Sequence, residues 1–207
     1  MPGSTLGMAC RARPLVTGLV LAAGGSMRLG RPKQLLPYGS ATLLDHVLRT
    51  ARECAFDQLL CVVGGGADSV RSGVDFSGVE VVENPEFGAG CSSSIAAALR
   101  VVDPRTEVLV LILGDQPGVG ASSAAALVDG LGDAPLAVCA YSDGRGHPLA
   151  FARALFPELA ELHGDKAVWK LLDRYSADLV EVPIEGPIPR DVDTWEDYKA
   201  VLAEAAG

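Results

Sequence analysis

Three cations, Arg28, Arg31 and Lys33, crowd against the glycines Gly24, Gly25 and Gly30. That combination suits an anion carrying several charges. Glycine sets no Cβ between its backbone N–H and an incoming oxygen, and successive amides in such a loop form a concave nest for phosphate. The cations neutralise what the amides cannot, arginine through paired N–H groups and lysine as a point charge. A glycine turn with solvated charges would explain a bare glycine pair; cations at this spacing favour phosphate.

Carboxylates recur further along. Asp115 stands in Gly114-Asp115-Gln116-Pro117, directly behind an apolar run over 108–113. Triphosphate chemistry usually needs Mg²⁺, which takes oxygen ligands from one or two carboxylates, phosphates and water. Asp115 is placed to be its first ligand; taken alone, it is equally a turn aspartate before proline. Asp191 and Asp193 fall on one side of an extended segment, and Asp193, ahead of Asp191, is the candidate second ligand. Thr194, Glu196 and Asp197 read instead as a helix start, a cap followed by acids against the positive end of the dipole. A second glycine-rich loop, over 84–94, opens another helix; its amides would take an anion or a ribose, or it is a cap alone. Gly144-Arg145-Gly146-His147-Pro148 forms a third such stretch, whose histidine reads equally as structural or functional.

These groups need a frame. Apolar runs of strand length alternate with helical patterns, the mark of an α/β chain with a mostly parallel sheet and helices on both faces. Strands are expected over 16–22, 59–63, 79–82, 108–113, 136–140 and 179–182, with 148–151 as a short extra one. A helix over 43–53 would bury Leu44, Val47, Leu48 and Ala51, spaced by three and four. Others are expected up to Leu99 with Ser92, Ser93 and Ser94 offering caps, up to about Leu131 with Ser122 as cap, and over 155–162, 168–175 and 195–205. Ligands of an open parallel sheet bind at the carboxyl ends of its strands. The glycine loop, Asn84, Asp115 and the Asp191–Asp193 segment each follow one.

At 207 residues the chain fits one α/β domain, of a size that buries roughly 70% of its unfolded surface. Residues 15–207 read as that domain and 1–14 as a disordered extension. Arg11 and Arg13 ahead of the apolar run 15–23 imitate a signal peptide, yet cleavage there would remove the strand that feeds the glycine loop. The run is also shorter than the ~20 residues that span a membrane, so no membrane partner is expected. A net charge of −9 argues against nucleic acid as a partner. Cys10, Cys54, Cys61, Cys91 and Cys139 are scattered without a Cys-x-x-Cys pair, which points to reduced thiols in a cytoplasmic protein.

The first glycine loop is no standard phosphate loop. Gly25 and Gly30 have P-loop spacing, but Arg31-Pro32 follows where Lys-Ser/Thr belongs, and Gly24-Gly25-Ser26 breaks the dinucleotide fingerprint. Leu21-Ala22-Ala23-Gly24-Gly25-Ser26-Met27-Arg28-Leu29-Gly30, followed by Pro32-Lys33, resembles the signature of the nucleotidyltransferases that activate sugars, terpenoid precursors and pterin cofactors. Through Gln34-Leu35-Leu36-Pro37-Tyr38 it is most similar to the molybdenum cofactor cytidylyltransferase branch. The resemblance covers nearly all of 16–202 and is strongest over 19–38.

It implies a single-domain Rossmann-like fold of the nucleotide-diphospho-sugar transferase type, CTP as donor and molybdopterin, a phosphorylated pterin, as acceptor. Arg28 and Lys33 would hold the leaving phosphates, and Mg²⁺ would sit on Asp115 with Asp193 or Asp191. Leu21, Ala22, Ala23, Gly24, Gly25 and Ser26 would line the nucleotide, and Asn84 and Ser93 its base and sugar. The Arg145-Gly146-His147-Pro148 stretch resembles one of that branch, which implies acceptor contacts from Arg145, Gly146 and His147. A transient contact with a molybdoenzyme or its chaperone follows. Guanylyl transfer to molybdopterin or another phosphorylated small acid stays open, as does a nucleotide-binding cofactor chaperone without turnover. Trp195 replaces a usual proline beside the acidic segment, which bears on the local turn there; Gly164-Asp165-Lys166-Ala167 keeps Gly-Asp but loses the arginine that relatives carry, which bears on the acceptor.

Overall fold

The computed structural model describes residues 13–164 and 166–206. The expected extension, except for its last two residues, lies outside them, as do Cys10 and Asp165. Strand β1 (Val16–Ala22) leads through a small hairpin, β2 (Pro37–Tyr38) and β3 (Ala41–Thr42), into helix α1 (Leu43–Glu53). Then come β4 (Gln58–Val63), α2 (Ala67–Gly73), β5 (Glu80–Glu83), α3 (Cys91–Leu99) and β6 (Val108–Leu113). The second half runs α4 (Ala121–Leu131), β7 (Leu136–Tyr141), β8 (Gly144–Ala152), α5 (Phe156–Ala160), α6 (Ala167–Arg174), β9 (Leu179–Pro183) and α7 (Trp195–Ala206).

Seven of these strands form one sheet in the order β5-β4-β1-β6-β8-β7-β9. All pair in parallel except β8, which runs against both β6 and β7. The expected mostly parallel α/β sheet is therefore present. The inner strands β1, β4, β6 and β7 are apolar at most positions because both their faces are covered. On one face Val20, Val110 and Ile112 pack with Leu44, Val47 and Leu48 of α1 and Leu127 of α4. On the other, Leu19, Leu60 and Leu111 pack with Ile95 of α3, Leu159 of α5 and Leu171 of α6. Each such side chain contributes roughly 1.5–3 kcal/mol of burial. The α1 terminus is fixed by a reciprocal pair: the Asp45 N–H donates to Thr42 Oγ1 at 3.1 Å and the Thr42 N–H to Asp45 Oδ2 at 3.0 Å.

A third, smaller cluster matters more for chemistry. Leu29, Leu36 and Leu43 from the first loop and α1 meet Val192 and Val201 from the chain's last segment. It draws the two ends of the sequence together at the carboxyl rim of the sheet.

Several local expectations need correction. Ser92, Ser93 and Ser94 do not cap α3; Gly90 does, at φ 100°, a backbone angle that serine adopts poorly. Ser122 likewise lies inside α4, whose cap is Gly120. The strand expected over 148–151 is longer, Gly144–Ala152, because its glycines and Arg145 pair with β7 where composition suggested a loop. Helix α2 and the β2–β3 hairpin were not expected. Both are too short to display a period. Among the described residues no helix is long and apolar enough to cross a membrane.

Candidate active site

The first loop is held from behind. Gln34 is buried, and its Nε2 donates to the Ala22 carbonyl at 2.6 Å and the Gly24 carbonyl at 3.2 Å. Ser26 takes a left-handed φ of 50°. Its carbonyl accepts from the Leu29 N–H at 3.0 Å and its Oγ from the Lys33 N–H at 2.9 Å. Leu29 is sunk into the third cluster. The loop therefore folds back on itself and fixes the backbone of Lys33.

The Lys33 ammonium lies 2.5 Å from Asp115 Oδ2 and 2.9 Å from Asp193 Oδ1. Arg28 reaches the other oxygen of Asp193 at 3.0 Å. Asp115 stands at the end of β6, where the Gly114 N–H donates to the Leu21 carbonyl at 2.9 Å. Asp193 is brought in by Val192: this side chain is wholly buried, and its N–H donates to the Asp115 carbonyl at 3.1 Å. Beyond it, Thr194 and Asp197 exchange the hydrogen bonds of a helix start, as their order in the sequence suggested.

Charge follows from this geometry. Burial works to lower the Lys33 pKa, but the Asp115 and Asp193 carboxylates outweigh it and hold the ammonium above its usual value. The hydrogen bond from Lys33 holds Asp193 below the usual carboxylate range. Asp191 keeps a face to solvent, yet the protein around it and the Asp115 carboxylate push it up to about 6.

The donor set fits a divalent cation. Asp115 Oδ1 is buried and has no hydrogen-bond partner, which leaves lone pairs for a hard cation. Among the described residues no three His, Cys, Asp or Glu side chains gather closely enough to hold a metal by themselves. A cation on Asp115 and Asp193 would draw its other ligands from phosphate and water, as Mg²⁺ commonly does.

Asn84 and Ser93 are brought to each other. Asn84 Nδ2 donates to Ser93 Oγ at 2.9 Å and Ser94 Oγ at 3.0 Å, while its Oδ1 accepts from the Glu86 N–H at 3.0 Å. These bonds shape the loop that carries Phe87. The Phe87 ring lies over the glycines: a Cβ on Gly64 would meet Phe87 Cβ at 2.6 Å, and one on Gly25 would meet Phe87 Cε2 at 3.5 Å. Gln34, Val192 and Phe87 are the residues that sequence reasoning missed. An apolar residue between two acids, and an aromatic set among glycines, were the available signals.

The structure does not gather Arg145 and His147 with this cluster. Arg145 pairs with Glu181 at the surface. His147 is buried, edge-on to Trp169 with ring centres 5.5 Å apart, and burial pushes it down to about 4. Their strand nevertheless begins at the same rim of the sheet, since β8 runs against β6.

The chain is similar to known proteins. Residues 18–179 match the model of the MobA-like NTP transferase domain. The chain is 30% identical over 200 residues to nicotine blue oxidoreductase of Paenarthrobacter nicotinovorans, covering 91% of this chain and 97% of that one. Among solved structures it is similar to the Rv0371c homolog of Mycobacterium sp. strain JC1, with 49% identity, a TM-score of 0.87 and coverage of 94% and 98%. It is also similar to Mycobacterium tuberculosis H37Rv Rv0371c in complex with manganese, with 44% identity, a TM-score of 0.80 and coverage of 91% and 98%.

Proposed function

We propose, since the chain belongs to the MobA-like NTP transferase family, that it moves a nucleoside monophosphate from a triphosphate onto the phosphate of a second substrate. The observation that carries this reading is the convergence of Lys33 with Asp115 and Asp193 beside the glycine loop. In the reaction an oxygen of the acceptor phosphate attacks the α-phosphorus. The bond from that phosphorus to the bridging oxygen breaks, and pyrophosphate leaves with the electron pair.

The acceptor oxygen is already anionic, so no strong base is required and the work is alignment and neutralisation. Amides of the loop over 21–26 cradle the nucleotide. Arg28 and Lys33 bind the β- and γ-phosphates, and Lys33 reaches the α-phosphate. Mg²⁺ held by Asp115 and Asp193 would supply further neutralisation at the phosphate oxygens. CTP is the favoured donor and molybdopterin the favoured acceptor, on the resemblance of 19–38 and of Arg145-Gly146-His147. Arg145 and Gly146 at the rim then face the acceptor, and His147 supports them from within the core. A molybdoenzyme or its chaperone would receive the product.

The test is magnesium-dependent pyrophosphate release from CTP, GTP, ATP and UTP, with and without molybdopterin. Lys33→Ala and Asp115→Ala should abolish it; wild-type rates in both would overturn the mechanism. Likeness to an oxidoreductase raises a second reading, hydride transfer. Oxidation of NADH or NADPH by a quinoid acceptor, insensitive to Asp115→Ala, would favour that reading instead.

A further inference from the structure

The place that a divalent cation would take on Asp115 and Asp193 already holds a positive charge. The Lys33 ammonium contacts one oxygen of each carboxylate, at 2.5 and 2.9 Å, and Arg28 covers the second oxygen of Asp193 at 3.0 Å. Only Asp115 Oδ1, buried and without a partner, is left open. A metal arriving alone would stand beside an ammonium at close range and would meet strong repulsion in a partly desolvated site. It would also need oxygens that are already engaged.

The carboxylates are carried on pinned backbone, and Lys33 reaches them on a long unbranched side chain. Asp115 ends a central strand, and the buried Val192 ties Asp193 to it through the Asp115 carbonyl. The Lys33 backbone is pinned by Ser26 Oγ at 2.9 Å, which leaves a long flexible side chain to swing. A polyphosphate chain in the adjacent glycine loop would offer the ammonium denser negative charge than two carboxylates do.

We infer that Lys33 is an internal counter-cation that holds Asp115 and Asp193 together and excludes a divalent metal until a polyphosphate draws the ammonium away. Metal therefore binds with or after the triphosphate, not before it. The inference rests on the nucleotidyl-transfer reading and adds an order of binding to it.

Mn²⁺ serves as probe, its free concentration read from the solution EPR signal of the whole chain titrated with the metal alone. Wild type should bind Mn²⁺ weakly, and Lys33→Met at least tenfold more tightly. Lys33→Arg should stay weak, and adding Asp115→Asn to Lys33→Met should remove the gain. Thermal unfolding followed by circular dichroism checks that each variant is folded. In dialysis at fixed free Mn²⁺, inorganic tripolyphosphate should raise the metal bound per wild-type chain. Equal Mn²⁺ affinity in wild type and Lys33→Met would overturn the inference and leave nucleotidyl transfer standing. No Mn²⁺ binding by Lys33→Met, with or without tripolyphosphate, would overturn the inference and the metal-assisted reading together.

Discussion

Val192 donates its backbone N–H to the carbonyl of Asp115 at 3.1 Å, although the two are far apart in sequence. One is buried between two acids; the other ends the strand that supplies the remaining carboxylate. This single bond sets the spacing of the acidic half of the site. The Val192 side chain, in a cluster with Leu29 and Leu36, sets its distance from the basic half.

Val192→Ala should therefore cost more activity than its size suggests. Removing two buried methyl groups destabilises the fold by about 1–2 kcal/mol. It also loosens both neighbouring aspartates, so pyrophosphate release should fall at least tenfold. Urea unfolding and the release assay, run on the same preparation, check both.

Phe87→Ala should weaken binding of the triphosphate and not only of the base. The ring braces Gly25 and Gly64, so its loss frees the phosphate loop itself. Affinity for inorganic tripolyphosphate, which has no base, should drop several-fold along with that for CTP. An unchanged tripolyphosphate affinity would confine Phe87 to the base.

Gly64→Ala should be poorly tolerated for the same reason from the other side. Its Cβ would come within 2.6 Å of Phe87 Cβ and 2.9 Å of the Ala23 carbonyl. Overpacking of this kind costs about 1–3 kcal/mol, read as a lowered unfolding midpoint.

His147 gives a pH dependence of known sign. Burial pushes it down to about 4, while the unfolded chain titrates it near about 6.5. Below that unfolded value the unfolded state gains a proton that the folded state refuses. Stability from this residue is thus whole above about pH 6.5 and drains away as pH falls toward the folded pKa, by about 2 kcal/mol between pH 7.5 and 5. His147→Phe should flatten that part of the urea-midpoint profile relative to wild type.

The sequence carried much of this in plain form. The apolar runs gave six parallel strands within a residue or so, most plainly in the inner strands, where burial on both faces needs unbroken hydrophobicity. Asp115 was legible because it follows a strand in a glycine turn, and Lys33 because it closes the cation-bearing glycine loop after another. What pins them was not. Gln34 acts by bonding two carbonyls that no residue spacing advertises, and Val192 acts through a contact across most of the chain. The serines in the first turn of α3 misled because cap preference is local, while the glycine that caps in their place answers to a backbone angle of 100°.

The antiparallel β8 has an effect of its own. It stands between β1 and β6, which lead to Lys33 and Asp115, and the strands β7 and β9, and its turn with β7 opens onto the shared rim. The turn around 142–143 lies away from the β1–β6 pairing. On the proposed reading, the turn that would meet the second substrate is thus distinct from the strands that carry Lys33 and Asp115.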